Sequence, residues 1–249
     1  MLISILNQKG GCGKTTLALN IATNIADLIP KIDYKKVVMI DTDRQGSLSD
    51  WHAAGECGIE LIIADRPSHL HRFEPDPDII YVLDGASKAD DMCMGSIAIS
   101  DMVLVPIKPS IMDGWSIAPI VKLLNDRQTR YDGIPYASFV LSMTRKHSTL
   151  DANTRADFEA TGCDLFDSFT TDRMIYKKTA YRGESVFTDG PPYNSGDRLA
   201  LEKAKGEIMA ITAELLSRGS INLKKGKDND NVHPLFSSLG TSERTTETD

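Results

Sequence analysis

Short apolar runs alternate along the chain with longer stretches whose apolar residues recur every three or four positions. Residues 2–6, 37–40, 61–64, 79–83, 102–106 and 137–141 are strand-length and almost continuously apolar. Unbroken apolarity over so few residues suits strands of a parallel sheet covered on both faces. Between them, Leu17, Ile21, Ile25, Leu28 and Ile29 form one helical stripe that Pro30 ends. Further helices are predicted over residues 117–130, with Pro119 in the first turn or at a kink, over 150–160, and over 196–216. The alternation predicts an α/β chain: a doubly wound, mostly parallel sheet with helices on both faces.

The character changes near residue 219. Lys224, Lys225 and Lys227 are followed by Asp and Asn, and residues 241–249 are rich in Ser, Thr and Glu. The expected organisation is one domain over residues 1–218 and a polar, disordered tail over 219–249. Within that tail, His233-Pro234-Leu235-Phe236 reads as a tail fragment in preference to a docking motif.

Composition narrows the classes. The 249 residues are 41% hydrophobic and 25% charged, as in an ordinary globular protein. A formal net charge of −7 excludes a global basic field, so any nucleic-acid contact must be a local patch. No run approaches the roughly 20 apolar residues of a membrane helix. The absence of a signal-peptide pattern leads to the expectation of a cytoplasmic protein. Cys12, Cys57, Cys93 and Cys163 are widely spaced, without a C-x-x-C pair, which points to reduced thiols and away from a disulfide framework or zinc site.

The chemistry concentrates after the first strand. Lys9, Gly10, Gly11, Cys12, Gly13, Lys14, Thr15 and Thr16 lie between a strand and a helix, the setting in which a glycine-rich loop cradles phosphates. Glycines let backbone amides curl round the anion, and the helix N-terminus adds positive potential. Lys14 is placed to neutralise β- and γ-phosphate oxygens and Thr15 to ligate Mg²⁺. Gln8 stands where the usual pattern has its first glycine, and Lys9 is an additional lysine. Asp41, Asp43 and Asp84 end two apolar strands at the edge where open α/β sheets bind ligands. Such carboxylates can hold Mg²⁺ through water or orient an attacking water; the plainer alternative is that they cap the next helix.

These motifs resemble the P-loop ATPases of the ParA/MinD family with a deviant Walker A box. The resemblance leans toward the short plasmid-partition ATPases typified by ParF, and it runs over nearly all of residues 1–217. It rests on Lys9 to Thr16, Asp41-Thr42-Asp43, Val82-Leu83-Asp84-Gly85-Ala86, the segment from Ser100 to Ser110, and Gly183-Glu184-Ser185-Val186-Phe187. It implies ATP and Mg²⁺ as cofactors. Lys9 is the signature lysine that reaches a partner subunit's ATP, Asp43 positions the hydrolytic water, Asp84 holds the metal shell, and Asp41 supports switch and metal. The implied protein is a nucleoid-associated partition ATPase that dimerises with ATP, binds nonspecific DNA, is stimulated by a small centromere-binding protein (ParG- or ParB-like), and does not use a membrane. Arg44-Gln45 departs from the family's Asp-Pro-Gln, and Met143-Thr144-Arg145 from its Asn-Arg pair, so the adenine contacts are left open.

Arg173, Lys177, Lys178 and Arg182, with Arg198, Lys203 and Lys205 nearby, are the candidate DNA contacts; the competing reading is a solvated helix face. Three alternatives to a partition ATPase share the fold. They are an ATP-dependent ligase or synthetase, an iron–sulfur carrier needing paired cysteines, and a MinD-like spatial regulator needing a basic amphipathic C-terminal helix if it binds membrane.

Overall fold

A computed structural model describes residues 1–43, 46–55, 58–86, 91–109, 114–144, 158, 164–188 and 194–225; side chains are described from 117 in the segment beginning at 114 and up to 219 in the last helix. In chain order the elements are β1 (Leu2–Ile5), α1 (Lys14–Leu28), β2 (Lys36–Asp41), α2 (Ser47–Ala54), β3 (Glu60–Ile63), α3 (Pro67–His71), β4 (Ile79–Asp84), α4 (Asp91–Ile99), β5 (Met102–Ile107), α5 (Gly114–Arg130), β6 (Tyr136–Thr144), β7 (Asp164–Thr171), α6 (Met174–Tyr181) and α7 (Ser195–Lys225).

Among the described residues seven strands form one sheet in the order β3-β2-β4-β1-β5-β6-β7, with every pairing parallel. Alternation along each strand supplies two cores. Ile3, Ile5, Val37, Met39, Ile80 and Val82 face α1, α2, α6 and α7, with Leu17, Ile21 and Ile25 of the predicted stripe among them. Leu2, Leu6, Val38, Ile40, Tyr81 and Leu83 face α3, α4 and α5. Each buried aliphatic side chain among these contributes roughly 1.5–3 kcal/mol. Because both faces are covered, the strands read as continuous apolar runs and not as alternating ones.

The chain moves from β1 to one side of the sheet for β2, β3 and β4, then crosses β1 to place β5 on the other side. Connections therefore diverge at the carboxyl end of β1, where ligands of doubly wound sheets sit.

Several expectations shift. Pro119 lies in the second turn of α5, because the helix begins at Gly114 and not near residue 117. The last helix continues to Lys225, past its expected end at residue 216, while residues 226–249 lie outside the described residues, as does all of the helix expected over 150–160 except Phe158. Strand β7 and helices α2, α3, α4 and α6 were not predicted. No helix among the described residues is long and apolar enough to cross a membrane.

Candidate nucleotide site

The loop between β1 and α1 is shaped by two glycines in the left-handed region, Gly11 at φ 69° and Gly13 at φ 92°. At Gly13 the constraint is also steric: a Cβ there would meet Ser142 Oγ at 2.8 Å. Asn7 latches the loop. Its amide donates to the Pro106 carbonyl of β5 at 2.7 Å, and its Oδ1 accepts from Lys9 N–H at 2.9 Å. Helix α1 then starts at Lys14 with no side-chain cap and no acid in its first turn. The helix dipole favours an anion at this end.

The two lysines of the loop differ. Lys14 is buried, 6% exposed, and donates to the carbonyl of Lys9 at 3.3 Å, whereas the Lys9 side chain is exposed. Cys12 is buried and its thiol donates to the same carbonyl at 3.2 Å. Burial pushes the Cys12 thiol above its ordinary value despite the nearby Lys14, so it is an inert filler of the loop. A third cation escaped the motif reading: Lys108, just beyond β5, places its Nζ 3.9 Å from where a Cβ on Gly11 would stand. Nothing in local sequence marks it, since the proximity arises from β5 lying beside β1.

Asp84 ends β4 directly beneath the loop. Thr15 Oγ1 donates to its Oδ2 at 2.6 Å, while its Oδ1 is buried without a hydrogen-bond partner. Burial raises the Asp84 carboxyl to about 7; the Thr15 hydrogen bond and Lys14 oppose this, and Asp41 and Asp43 reinforce it. Thr42 fixes the strand end, its N–H and hydroxyl both donating to the Asp84 carbonyl at 3.1 and 2.8 Å.

An orphaned buried carboxylate oxygen beside a threonine hydroxyl fits a divalent cation. Mg²⁺ would supply the missing partner and hold the carboxylate ionised. Among the described residues no three His, Cys, Asp or Glu side chains converge as a metal cage. Magnesium in a triphosphate site does not need one, because it keeps waters and takes phosphate oxygens.

Asp41, expected to support the switch and the metal, has both carboxylate oxygens hydrogen-bonded. Its Oδ1 accepts from Asp43 N–H at 3.0 Å, and its Oδ2 accepts from the N–H and hydroxyl of Ser49 at 3.0 and 2.6 Å. Both oxygens therefore brace the Asp43 segment and the first turn of α2. Asp43 itself is half-buried beside this brace, and Arg44 and Gln45 lie outside the described residues.

An open cleft adjoins the loop, lined by Gly13 and Thr16, by Met143 near the end of β6, by Thr171 at the end of β7, and by Asp172 and Arg173 beyond it. Met143 is held at φ 56°, an uncommon conformation for a side-chain-bearing residue, of the kind that clusters at ligand sites. Sequence reasoning left this cleft open, because its walls come from segments more than a hundred residues apart and share no motif.

The candidate DNA residues are brought to one side, on α6 and α7, but most are paired. Arg173 Nη2 lies 2.6 Å from Glu207, Lys178 2.7 Å from Asp197, Lys205 3.5 Å from Glu202 and Arg182 4.0 Å from Glu184. Among the described residues no ion pair involves Lys177 or Lys203, which are exposed. Arg173 and Lys177 also line the cleft, which the charge pattern did not reveal.

The sequence profile of the CobQ/CobB/MinD/ParA nucleotide binding domain matches residues 3–189. The chain belongs to this family. As a Walker A ATPase it binds and hydrolyses ATP. Among its relatives is the maintenance of carboxysome distribution protein A of Halothiobacillus neapolitanus, 24% identical over 196 residues that cover 76% of this chain and 87% of the relative. A protein ParA from Rhizobium radiobacter is 26% identical over 224 residues, covering 86% and 97%. Among solved structures, apo McdA from Cyanothece superposes with a TM-score of 0.64 at 14% identity, over 86% of this chain and 98% of that one. Similarity at that level establishes the P-loop fold; the ParF-like branch is not distinguished from other ParA/MinD/CobQ members.

Proposed function

We propose that the chain is an ATP-driven dimer switch that positions a cargo inside the cell. The observation that carries this reading is the contrast within one loop, where Lys14 is buried against the loop's own backbone while Lys9 is exposed. An exposed lysine beside a triphosphate site is suited to neutralise charge on a nucleotide held by a second copy. Closure is then favoured only while that charge is present.

On this reading the amides of residues 10–16 wrap the phosphates, Lys14 turns from the Lys9 carbonyl to the β- and γ-oxygens, and Thr15 and Asp84 hold Mg²⁺. When bound, the metal offsets charge on the phosphates during transfer to water. Asp43 accepts a hydrogen bond from the attacking water, and Asp41 keeps Asp43 and α2 in register with the site. Loss of the γ-phosphate removes the reason for Lys9 to cross the interface, and the dimer opens. The name of the Halothiobacillus relative supports cargo positioning as the outcome. Plasmid partition is the narrower version, with nonspecific DNA as the track, a ParG- or ParB-like partner as stimulator, and Lys177 and Lys203 as the lysines open to phosphate.

Light scattering with Mg-ATP, read together with phosphate release, tests this. Asp43→Ala is expected to bind ATP and accumulate as dimer while turnover falls by on the order of 10²-fold. Lys9→Ala is expected to bind ATP and stay monomeric. A Lys9→Ala chain that dimerises as well as wild type contradicts the switch. Turnover strictly dependent on an added small carboxylic acid would favour an ATP-dependent ligase on the same fold instead.

A further inference from the structure

Glu207 lies in the middle of α7, outside every motif considered above, yet it makes four hydrogen bonds to the segment that walls the cleft. Its Oε1 accepts from Arg173 Nε at 2.9 Å and from Arg173 Nη2 at 2.6 Å. Its Oε2 accepts from Thr171 N–H at 3.1 Å and from the Tyr176 hydroxyl at 2.9 Å. Thr171, Arg173 and Tyr176 all line the cleft beside Gly13 and Thr16. One carboxylate on α7, which packs in the same layer as α1 and α6, thus sets three wall residues at once: the end of β7, the connecting residue and the first turn of α6.

The arrangement is not what a phosphate-binding arginine needs. Arg173 is 19% exposed in its side chain, and Glu207 neutralises its charge at hydrogen-bond distance. Two of its five N–H donors are committed to a single oxygen. A neutralised, immobilised guanidinium keeps a planar face for stacking and loses its pull on anions. Burial, followed by the neighbouring Glu207, raises the Tyr176 hydroxyl well above its ordinary value, so it remains a donor to Glu207 throughout the working range of pH.

We infer that Glu207 is a positioning residue that sets the nucleoside-binding wall of this site through Arg173, Thr171 and Tyr176, and so determines how much the base adds to nucleotide affinity. This rests on the nucleotide reading of the loop and on the adjoining cleft taking the base and ribose. It also reassigns Arg173 from the DNA face to the nucleotide. The phosphate loop is held separately, by Asn7 and by its own glycines, so phosphate binding does not depend on Glu207.

The test compares two probes, ATP and inorganic triphosphate, each titrated with Mg²⁺ into wild type, Glu207→Ala and Glu207→Gln, with melting temperature recorded for all three. Wild type is expected to bind ATP more tightly than triphosphate. Glu207→Ala is expected to lose about tenfold in ATP affinity, the scale of one charge-assisted network, with triphosphate affinity within about twofold of wild type by the same scale. KM for ATP rises correspondingly while kcat is retained. Glu207→Gln keeps the size and one carbonyl acceptor; it serves as the test if the alanine variant does not fold, with a smaller loss confined to ATP. Unchanged ATP affinity, or an equal loss for ATP and triphosphate, overturns the role of Glu207. A wild-type chain that does not distinguish ATP from triphosphate overturns instead the assignment of the cleft to the base.

Discussion

Asp84→Asn is expected to stabilise the nucleotide-free chain while abolishing magnesium-dependent ATP turnover. Asp84 is 1% exposed and its carboxyl stands near 7, with one oxygen lacking any partner. In the unfolded chain it titrates near 4. Between those values the unfolded state is ionised and the folded state holds the proton, so the folded state becomes less stable as pH rises from about 4 to about 7, and the penalty levels off above. The shift corresponds to roughly 4 kcal/mol at most. Asparagine removes the penalty, keeps an acceptor for Thr15, and leaves an unpartnered amide that costs about 1–3 kcal/mol. The expected net gain is about 1–3 kcal/mol, or a melting temperature roughly 2–12 °C higher at pH 8, with the gain vanishing below pH 4. Calorimetry across pH with and without Mg-ATP checks it. A variant that melts lower than wild type at pH 8, or that still hydrolyses ATP with Mg²⁺, contradicts the assignment of Asp84. On the proposed reading, the destabilising buried acid is kept as a holder of Mg²⁺.

Lys14→Ala is expected to have the largest effect on binding. Lys14 is the first residue of α1, and its ammonium is already within the loop, resting on the Lys9 carbonyl at 3.3 Å. That interaction is weak enough to be exchanged for phosphate oxygens without a backbone rearrangement. Removing a buried cation from a multiply charged anion costs about 2–5 kcal/mol, so ATP affinity should fall by on the order of 10²-fold or more. Titration with a fluorescent nucleotide measures this, and an unshifted melting temperature without nucleotide shows that the fold is intact. Lys108→Met should cost less, because its ammonium stands beside Gly11 and not on the helix. If both variants bind ATP as wild type does, the triphosphate is held elsewhere.

The central strands were legible because burial on both faces leaves β5 wholly apolar and interrupts β1 and β4 with few polar residues, chiefly Ser4 and the terminal Asp84. Strand β7 was not, because it lies at the sheet edge and exposes Asp164 and Asp167, which breaks its apolar run. Helices α2 and α6 are eight residues each and lack side-chain caps, so they carried no start signal. The phosphate loop was visible because its chemistry is local, with glycines, lysine and threonine within eight positions. Asp41 shows the opposite case: the sequence places it correctly at a strand end, but only the fold reveals Asp43 N–H on one of its oxygens and Ser49 on the other. Charge counting around Arg173 could not register the ion pairs there for a related reason. The counter-charges Glu207 and Asp197 sit on α7, distant in sequence and adjacent in space.

A crystal structure of the chain with Mg²⁺ and a nonhydrolysable ATP analogue tests the central claim most directly. The account predicts phosphates on the amides of residues 10–16, Mg²⁺ between Thr15 and Asp84, the base against Met143 and Arg173, and Lys9 directed at a second protomer's nucleotide. A nucleotide bound away from that loop, or a metal that makes no contact with Thr15 directly or with Asp84 through water, would contradict it.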